Sequence, residues 1–142
     1  MNDAQLIYPM AAMVLLTLIV MIRMVLLRIA AVRRGEIDAY FYKTYQGEKG
    51  ETRKVAQHNR HFVNLFENPV LFYAACITAM ATALGTQVMI WLAWAYVATR
   101  LVHTFIHLGS NKIYPRMAVY GSSWVVLLAM WATLVLGVAS AQ

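Results

Sequence analysis

Three short stretches hold most of the residues that could do chemistry. The first runs from His58 to Pro69. Read as a helix of 3.6 residues per turn, it puts Arg60, Asn64 and Glu67 on one face. In apolar surroundings Glu67 needs a cation or several donors to stay ionised. Arg60 and Asn64 could supply them as a bond network internal to a helix bundle, or all three could face a ligand. The second stretch, Arg100 to Gly109, places Arg100, His103 and His107 on a common face. A His pair at i, i+4 can hold a metal. A third ligand would come from Glu67 or His58, and a haem held by two helix histidines is the related possibility. The alternative is hydrogen-bonded packing or ligand contact, and the expectation is that no metal is bound. The third stretch has Tyr114, Pro115, Arg116, Met117 and Tyr120. Proline is well tolerated where a helix begins, and a helix N-terminus favours an anion. Arg116 there is unfavourable to the dipole unless it pairs with something negative, a lipid phosphate being the simplest partner.

These residues stand out because the rest of the chain is so apolar. Of 142 residues, 61% are hydrophobic and 13% charged, against about 25% charged in an average soluble domain. That leaves too little polar surface for a soluble globule and too much apolar material for disorder. One Cys and seven Gly exclude disulfide-rich and collagen-like classes. An integral membrane protein of one small domain, 1–142, remains.

A bilayer core takes about 20 apolar residues as a helix. Ala4 to Ile22, Asn68 to Thr99 and Met117 to Gln142 carry no charge. The middle run is too long for one span, and Leu84, Gly85, Thr86 and Gln87 break it with turn chemistry. Four spans are predicted, roughly 5–32, 59–84, 87–108 and 116–139. Every Lys and Arg lies within 23–60 or 100–116. By the positive-inside rule the 33–58 loop and the loop after span three are cytoplasmic, and both termini are on the other side. The net charge of +6 is therefore mostly topology, with no nucleic-acid partner expected. Asp3 in place of a basic n-region argues against a cleaved signal peptide.

The 33–58 loop is the one long polar segment, with Gly47 to Glu51 as its flexible centre. Its aromatic stretch, Asp38 to Tyr45, is expected at headgroup level. Trp91, Trp94, Trp124 and Trp131 read as lipid-facing or interfacial packing, the nine Met as core filler, and lone Cys76 as inert packing.

Taken together, the three constellations resemble the MAPEG family, the membrane-associated proteins in eicosanoid and glutathione metabolism. Arg60, Asn64, Glu67 and Pro69 meet its helix-two pattern. Arg100, His103 and Thr104 meet the pattern ending helix three. Arg116 and Tyr120 meet that of helix four. The likeness covers nearly the whole chain and includes the four spans and long first loop. It is closest in compactness to bacterial members, which implies an inner membrane.

The resemblance implies an all-α bundle of four transmembrane helices assembling as a homotrimer, with glutathione as cosubstrate held between neighbouring protomers near the cytoplasmic side. By that likeness Arg60, Asn64 and Glu67 hold the peptide's charged and polar ends. Arg100 and His103 support or contact it, Arg116 stabilises the thiolate, and Tyr120 lines the pocket; His107, on the same face as His103, is counted with the cofactor contacts from its position. A helix-one arginine is also implied: Arg28, with Arg23 and Arg33 as alternatives. The implied activity is a transferase or peroxidase acting on a lipophilic electrophile or hydroperoxide that arrives through membrane lipid. Some positions depart from the family. His107 stands where Tyr is usual, Met117 where a Ser can lie near the thiol, and His58 and His61 flank Arg60. A non-catalytic lipid-binding or scaffold protein on the same fold is the alternative, since fold alone does not fix function.

Overall fold

The computed structural model describes residues 3–46 and 50–140. Gly47, Glu48 and Lys49, in the expected flexible centre of the first loop, lie outside the described residues. All regular elements among the described residues are helical. A 3-10 turn, Asp3–Leu6, leads into α1 (Ile7–Arg33). A single turn, α2 (Phe41–Thr44), lies in the first loop. Then come α3 (Arg53–Asn64), α4 (Asn68–Ala81), α5 (Gln87–Leu108) and α6 (Ile113–Ser140). Four stretches are long and apolar enough to cross a bilayer: Asp3–Arg33, Arg53–Ala81, Gln87–Leu108 and Ile113–Ser140. The shortest has 22 residues. At about 1.5 Å per residue that gives about 33 Å, enough for a hydrocarbon core of about 30 Å.

The second span is two helices rather than one. Pro69 has no N–H, and its ring would collide with the carbonyl of Leu65 in a continuous helix. The chain closes α3 with two tight bonds, Leu65 N–H to the Phe62 carbonyl at 3.0 Å and Phe66 N–H to the Val63 carbonyl at 2.8 Å. It restarts as α4 with Pro69 in the first turn, where the missing N–H is not needed. Glu67 sits in this break, so its placement beside Arg60 and Asn64 does not come from helical spacing.

Caps define the other ends. Thr86 Oγ1 accepts from Met89 N–H at 3.3 Å and opens α5. Helix α1 closes on Gly35 at φ +69. There Gly35 N–H bonds the Val32 carbonyl at 2.9 Å and Glu36 N–H the Ala31 carbonyl at 3.0 Å, a Schellman closure. Helix α4 closes the same way on Ala83, whose φ of 57 is unusual for a residue with a Cβ. The 82–86 turn is fastened to the N-terminal segment by a bond from Gly85 N–H to Asp3 Oδ1 at 2.8 Å. Leu84 packs on Gly137, close enough that a Cβ there would stand 3.1 Å from its methyls. The first turn, the 82–86 turn and the end of α6 thus share one end of the bundle.

One buried stripe runs down each membrane-length helix at helical spacing. In α1 it is Met13, Leu16, Val20 and Met24; in α4, Phe72, Ala75, Cys76 and Ala79. Ala and Cys let helices approach closely, as membrane bundles need. Outside, Val14, Leu15, Ile19, Trp91, Leu128, Val135 and Leu136 are exposed, an apolar exterior suited to lipid. In the first loop the rings of Phe41, Tyr42 and Tyr45 meet edge to face. Phe41 and Tyr42 pack on Ala31, Ile37 and Val55, so this aromatic segment folds back onto the bundle.

Candidate functional site

The site grows from the pairing of α5 with α6, the most extensive helix contact in the molecule. The α5 stripe is Met89, Ala93, Tyr96, Arg100, His103 and His107, all buried. It keeps one register but changes from apolar to polar after Tyr96. The α6 stripe is Ser123, Leu127, Met130 and Leu134. Carried backwards at the same spacing it reaches Tyr120 and Arg116. Both polar ends therefore meet at one end of the bundle. The break between α3 and α4 faces them.

A cavity of about 560 Å³ opens there, lined by Arg60, Asn64 and Glu67 from the broken span, His103 and His107 from α5, and Arg116, Met117 and Tyr120 from α6. Its volume is in the range of small-molecule sites, about 300–1,000 Å³. Asn59 and Val63 complete the α3 wall. Arg60 and Glu67 are exposed on the flank of the chain. The ion pairs formed among the described residues, Arg28 with Glu51 and Arg34 with Glu36, do not include them. An internal network locking Arg60 to Glu67 is thus not what the fold builds.

Arg116 lies in the first turn of α6, and its Nη1 donates to Asn111 Oδ1 at 2.7 Å. Its partner within the chain is a neutral amide, where an anion had been expected. Arg100 lies beneath the cavity rather than in its wall. It is fully buried, at 0% exposure. Its Nη2 donates to the Asn64 carbonyl at 3.4 Å, while Nε and Nη1 have no partner. The guanidinium also stands 5.7 Å from the Tyr120 ring centre. Arg100 thereby ties α5 to the α3 terminus and to α6.

Arg28 is not at this cavity. It pairs with Glu51 at 3.3 Å and lies over the Tyr42 ring at 4.9 Å. Of its alternatives, Arg33 is exposed at the end of α1. Arg23 lines a second hollow of about 360 Å³ with Leu16, Leu101, Thr104, Phe105 and Leu108. Sequence reasoning noted His61 as a departure beside Arg60 and gave it no role in the site. His61 belongs to the buried stripe of α3, with Val55, His58 and Leu65, and touches both site histidines. His61 Nδ1 is 3.1 Å from His107 Nδ1, and its ring stacks on His103 with centres 5.5 Å apart. The signal available was its stripe position, one residue round the helix from exposed Arg60. His58, named from sequence as a possible third ligand, instead bonds the Lys54 carbonyl through Nδ1 at 2.9 Å.

The model of the MAPEG family matches residues 6–136. The chain belongs to this family. No curated protein and no solved structure matches it. The MAPEG family includes glutathione-dependent transferases and peroxidases as well as non-catalytic members. The all-helical bundle with four membrane-length helices agrees with that membership.

Proposed function

We propose that this MAPEG protein is a glutathione-dependent transferase or peroxidase acting on a lipophilic electrophile or hydroperoxide. The observation that carries the reading is the cavity, where three separate sequence motifs bring Arg60, Asn64, Glu67, His103, Arg116 and Tyr120 around one space. Glutathione carries two carboxylates, an ammonium and a thiol. Arg60 and Arg116 suit the anionic groups, Glu67 the ammonium, and Asn64 the peptide. A thiol has a pKa near 8.5 and reacts as the thiolate. Arginine stays charged throughout, so Arg116 is the group to hold the sulfur as S⁻. The Nη1 bond to Asn111 fixes its direction and leaves the rest of the fork for the ligand. Attack on an electrophilic carbon forms a C–S bond as the leaving group departs or a strained or activated bond opens. Attack on the outer oxygen of a hydroperoxide breaks the O–O bond, releases the alcohol, and leaves a sulfenic acid that a second glutathione converts to disulfide and water.

Exposure of Arg60 and Glu67 on the flank supports a site completed by a neighbouring protomer in a homotrimer. Arg28, remote from the cavity of its own chain, would then serve an adjacent one. In this reading the 33–58 loop and the cavity end are cytoplasmic, both termini are not, and the membrane is a bacterial inner membrane. The second substrate reaches the seam from lipid, past Met117 and Val63.

The test is calorimetric titration of the purified oligomer with glutathione. Arg116→Ala should raise the bound thiol's pKa by about two units, from about 6.5 back to the ordinary value of about 8.5, and so cut the thiolate at about pH 7 about 25-fold. Glu67→Gln should weaken binding itself. Absence of binding at millimolar glutathione would overturn the proposal. Met117, 61% exposed at the cavity mouth, favours a second reading as a non-catalytic lipid-binding protein. That reading predicts a co-purifying lipid and no thiol-dependent turnover.

A further inference from the structure

The cavity function uses His103 and His107 as contacts and gives no role to His61. Yet the three imidazoles form one buried cluster, at 0%, 2% and 4% exposure for His61, His103 and His107. Their ring centres form a triangle with sides of 4.9, 5.4 and 5.5 Å. Each offers one nitrogen, and those nitrogens all lie within 4.8 Å of one another. We propose that His61, His103 and His107 form a three-histidine site for a Zn²⁺-class metal ion, with an open coordination position facing the cavity.

The hydrogen bonds fix which nitrogen His61 presents. Thr104 Oγ1 donates its one proton to the Arg100 carbonyl at 2.8 Å. It can therefore only accept from His61 Nε2, 2.9 Å away. The His61 proton is on Nε2, and Nδ1 carries a lone pair directed at His107. This is the outer-shell arrangement that orients histidine ligands in metal proteins. A tetrahedral zinc with Zn–N bonds of about 2.0–2.1 Å separates its ligand nitrogens by about 3.4 Å. The His61–His107 pair, at 3.1 Å, is already near that spacing. A hydrogen bond between the two would explain their contact, but it leaves His103 unexplained. Neither nitrogen of His103 makes a well-formed hydrogen bond among the described residues. The Arg116 carbonyl acts on one of them, and the other is left with nothing, which is costly for a buried imidazole unless something else is bound.

The open position follows from placement. His103 and His107 line the cavity while His61 lies behind them. The charge of Arg100 acts on all three histidines, and that of Arg116 on His103 and His107. A dication here is therefore best held with an anionic fourth ligand such as hydroxide, carboxylate or thiolate. Open three-histidine sites of this kind polarise or ionise what they bind.

The experiment uses the full chain, free of any histidine tag, in detergent and stripped with chelator. Co²⁺ is titrated and its visible d–d bands are read, then Zn²⁺ is added. One Co²⁺ per chain with intense tetrahedral bands, displaced by Zn²⁺, is the expected result. Added azide should shift those bands by occupying the open position. His61→Ala and His107→Tyr should each abolish the signal, and Thr104→Val should weaken Co²⁺ binding by about 10–100-fold. His58→Ala should leave it intact, and far-ultraviolet circular dichroism verifies that each variant is folded. No stoichiometric Co²⁺ binding, or equal binding in the folded His61→Ala variant, overturns the site. Bands unmoved by azide overturn the open position.

Discussion

Replacing Arg100 by Met should stabilise the unliganded protein while weakening its hold on glutathione. Arg100 is fully buried, with two guanidinium nitrogens that have no partner among the described residues. Each unsatisfied buried donor costs about 1–3 kcal/mol. What the substitution removes is modest: one long bond to the Asn64 carbonyl at 3.4 Å, worth at most about 1 kcal/mol. The contact with the Tyr120 ring at 5.7 Å adds about 0.5–2 kcal/mol. Met follows the Arg100 stem as far as Nε with no polar atom to satisfy, and apolar replacement of buried ionic groups is often neutral or stabilising. The balance is a gain of about 1–3 kcal/mol, read as a higher midpoint in thermal unfolding followed by circular dichroism in detergent. Glutathione affinity should fall about tenfold, or about 1.4 kcal/mol, because Asn64 and Tyr120 both lose the group that holds them against the cavity. A loss of stability above about 1 kcal/mol would refute the reasoning, since it would mean that Arg100 is well satisfied where it lies. Unchanged glutathione affinity would refute its positioning role.

Three further substitutions probe the scaffold. Tyr96→Phe removes the hydroxyl that donates to Asn68 Oδ1, leaving a buried amide with no partner. It should cost about 1–3 kcal/mol in thermal unfolding, and adding Asn68→Leu to it should recover most of the loss. Gly85→Ala puts a Cβ 2.2 Å from Asp3 Oδ1 and 2.7 Å from its Cα. It should lower stability by more than Asp3→Ala does, the latter losing one bond worth about 1 kcal/mol; the opposite order in a melting comparison would argue against this contact. Ala83→Gly relieves a left-handed residue at φ 57 and should raise stability by about 0.5–1 kcal/mol, the relief being partly offset by glycine's extra chain entropy.

Legibility in the sequence followed the physics each reading depended on. The apolar runs and the placement of Lys and Arg were enough for four membrane-length helices, because lipid imposes length and charge rules that do not depend on neighbours. Arg116 and Tyr120 were legible as neighbours because they share an unbroken helix. Glu67 lines the same cavity as Arg60 and Asn64, but by a route that spacing did not give. Helical spacing puts it beside Arg60 and Asn64, but Pro69 breaks the helix and Glu67 reaches the same cavity from the turn. Where Arg28 sits within its own chain was not legible because α1 has no amphipathic face to fix its rotation. Its neighbours, Glu51 and Tyr42, come from distant sequence.

His61 shows most clearly what spacing within one helix leaves out. Its role arises only where α3 crosses α5 and brings three stripes together. Burial of a polar residue in a membrane bundle is expensive unless it faces protein interior or a wet cavity. The α5 stripe accepts that expense at Arg100, His103 and His107 in succession, where Leu or Ala would keep the packing and avoid it. The bundle repays it only in part: among the described residues two donors of Arg100 have no hydrogen-bond partner, and neither nitrogen of His103 makes a well-formed bond. A scaffold needs helices α5 and α6 to pack, and the Tyr96 end of the stripe already does so through Ala93, Val97, Leu127 and Met130. The polar end is therefore best understood through what enters beside it. Its unsatisfied groups lie in or directly behind the wall of the cavity that carries Arg116, so a ligand there can satisfy what the protein alone does not.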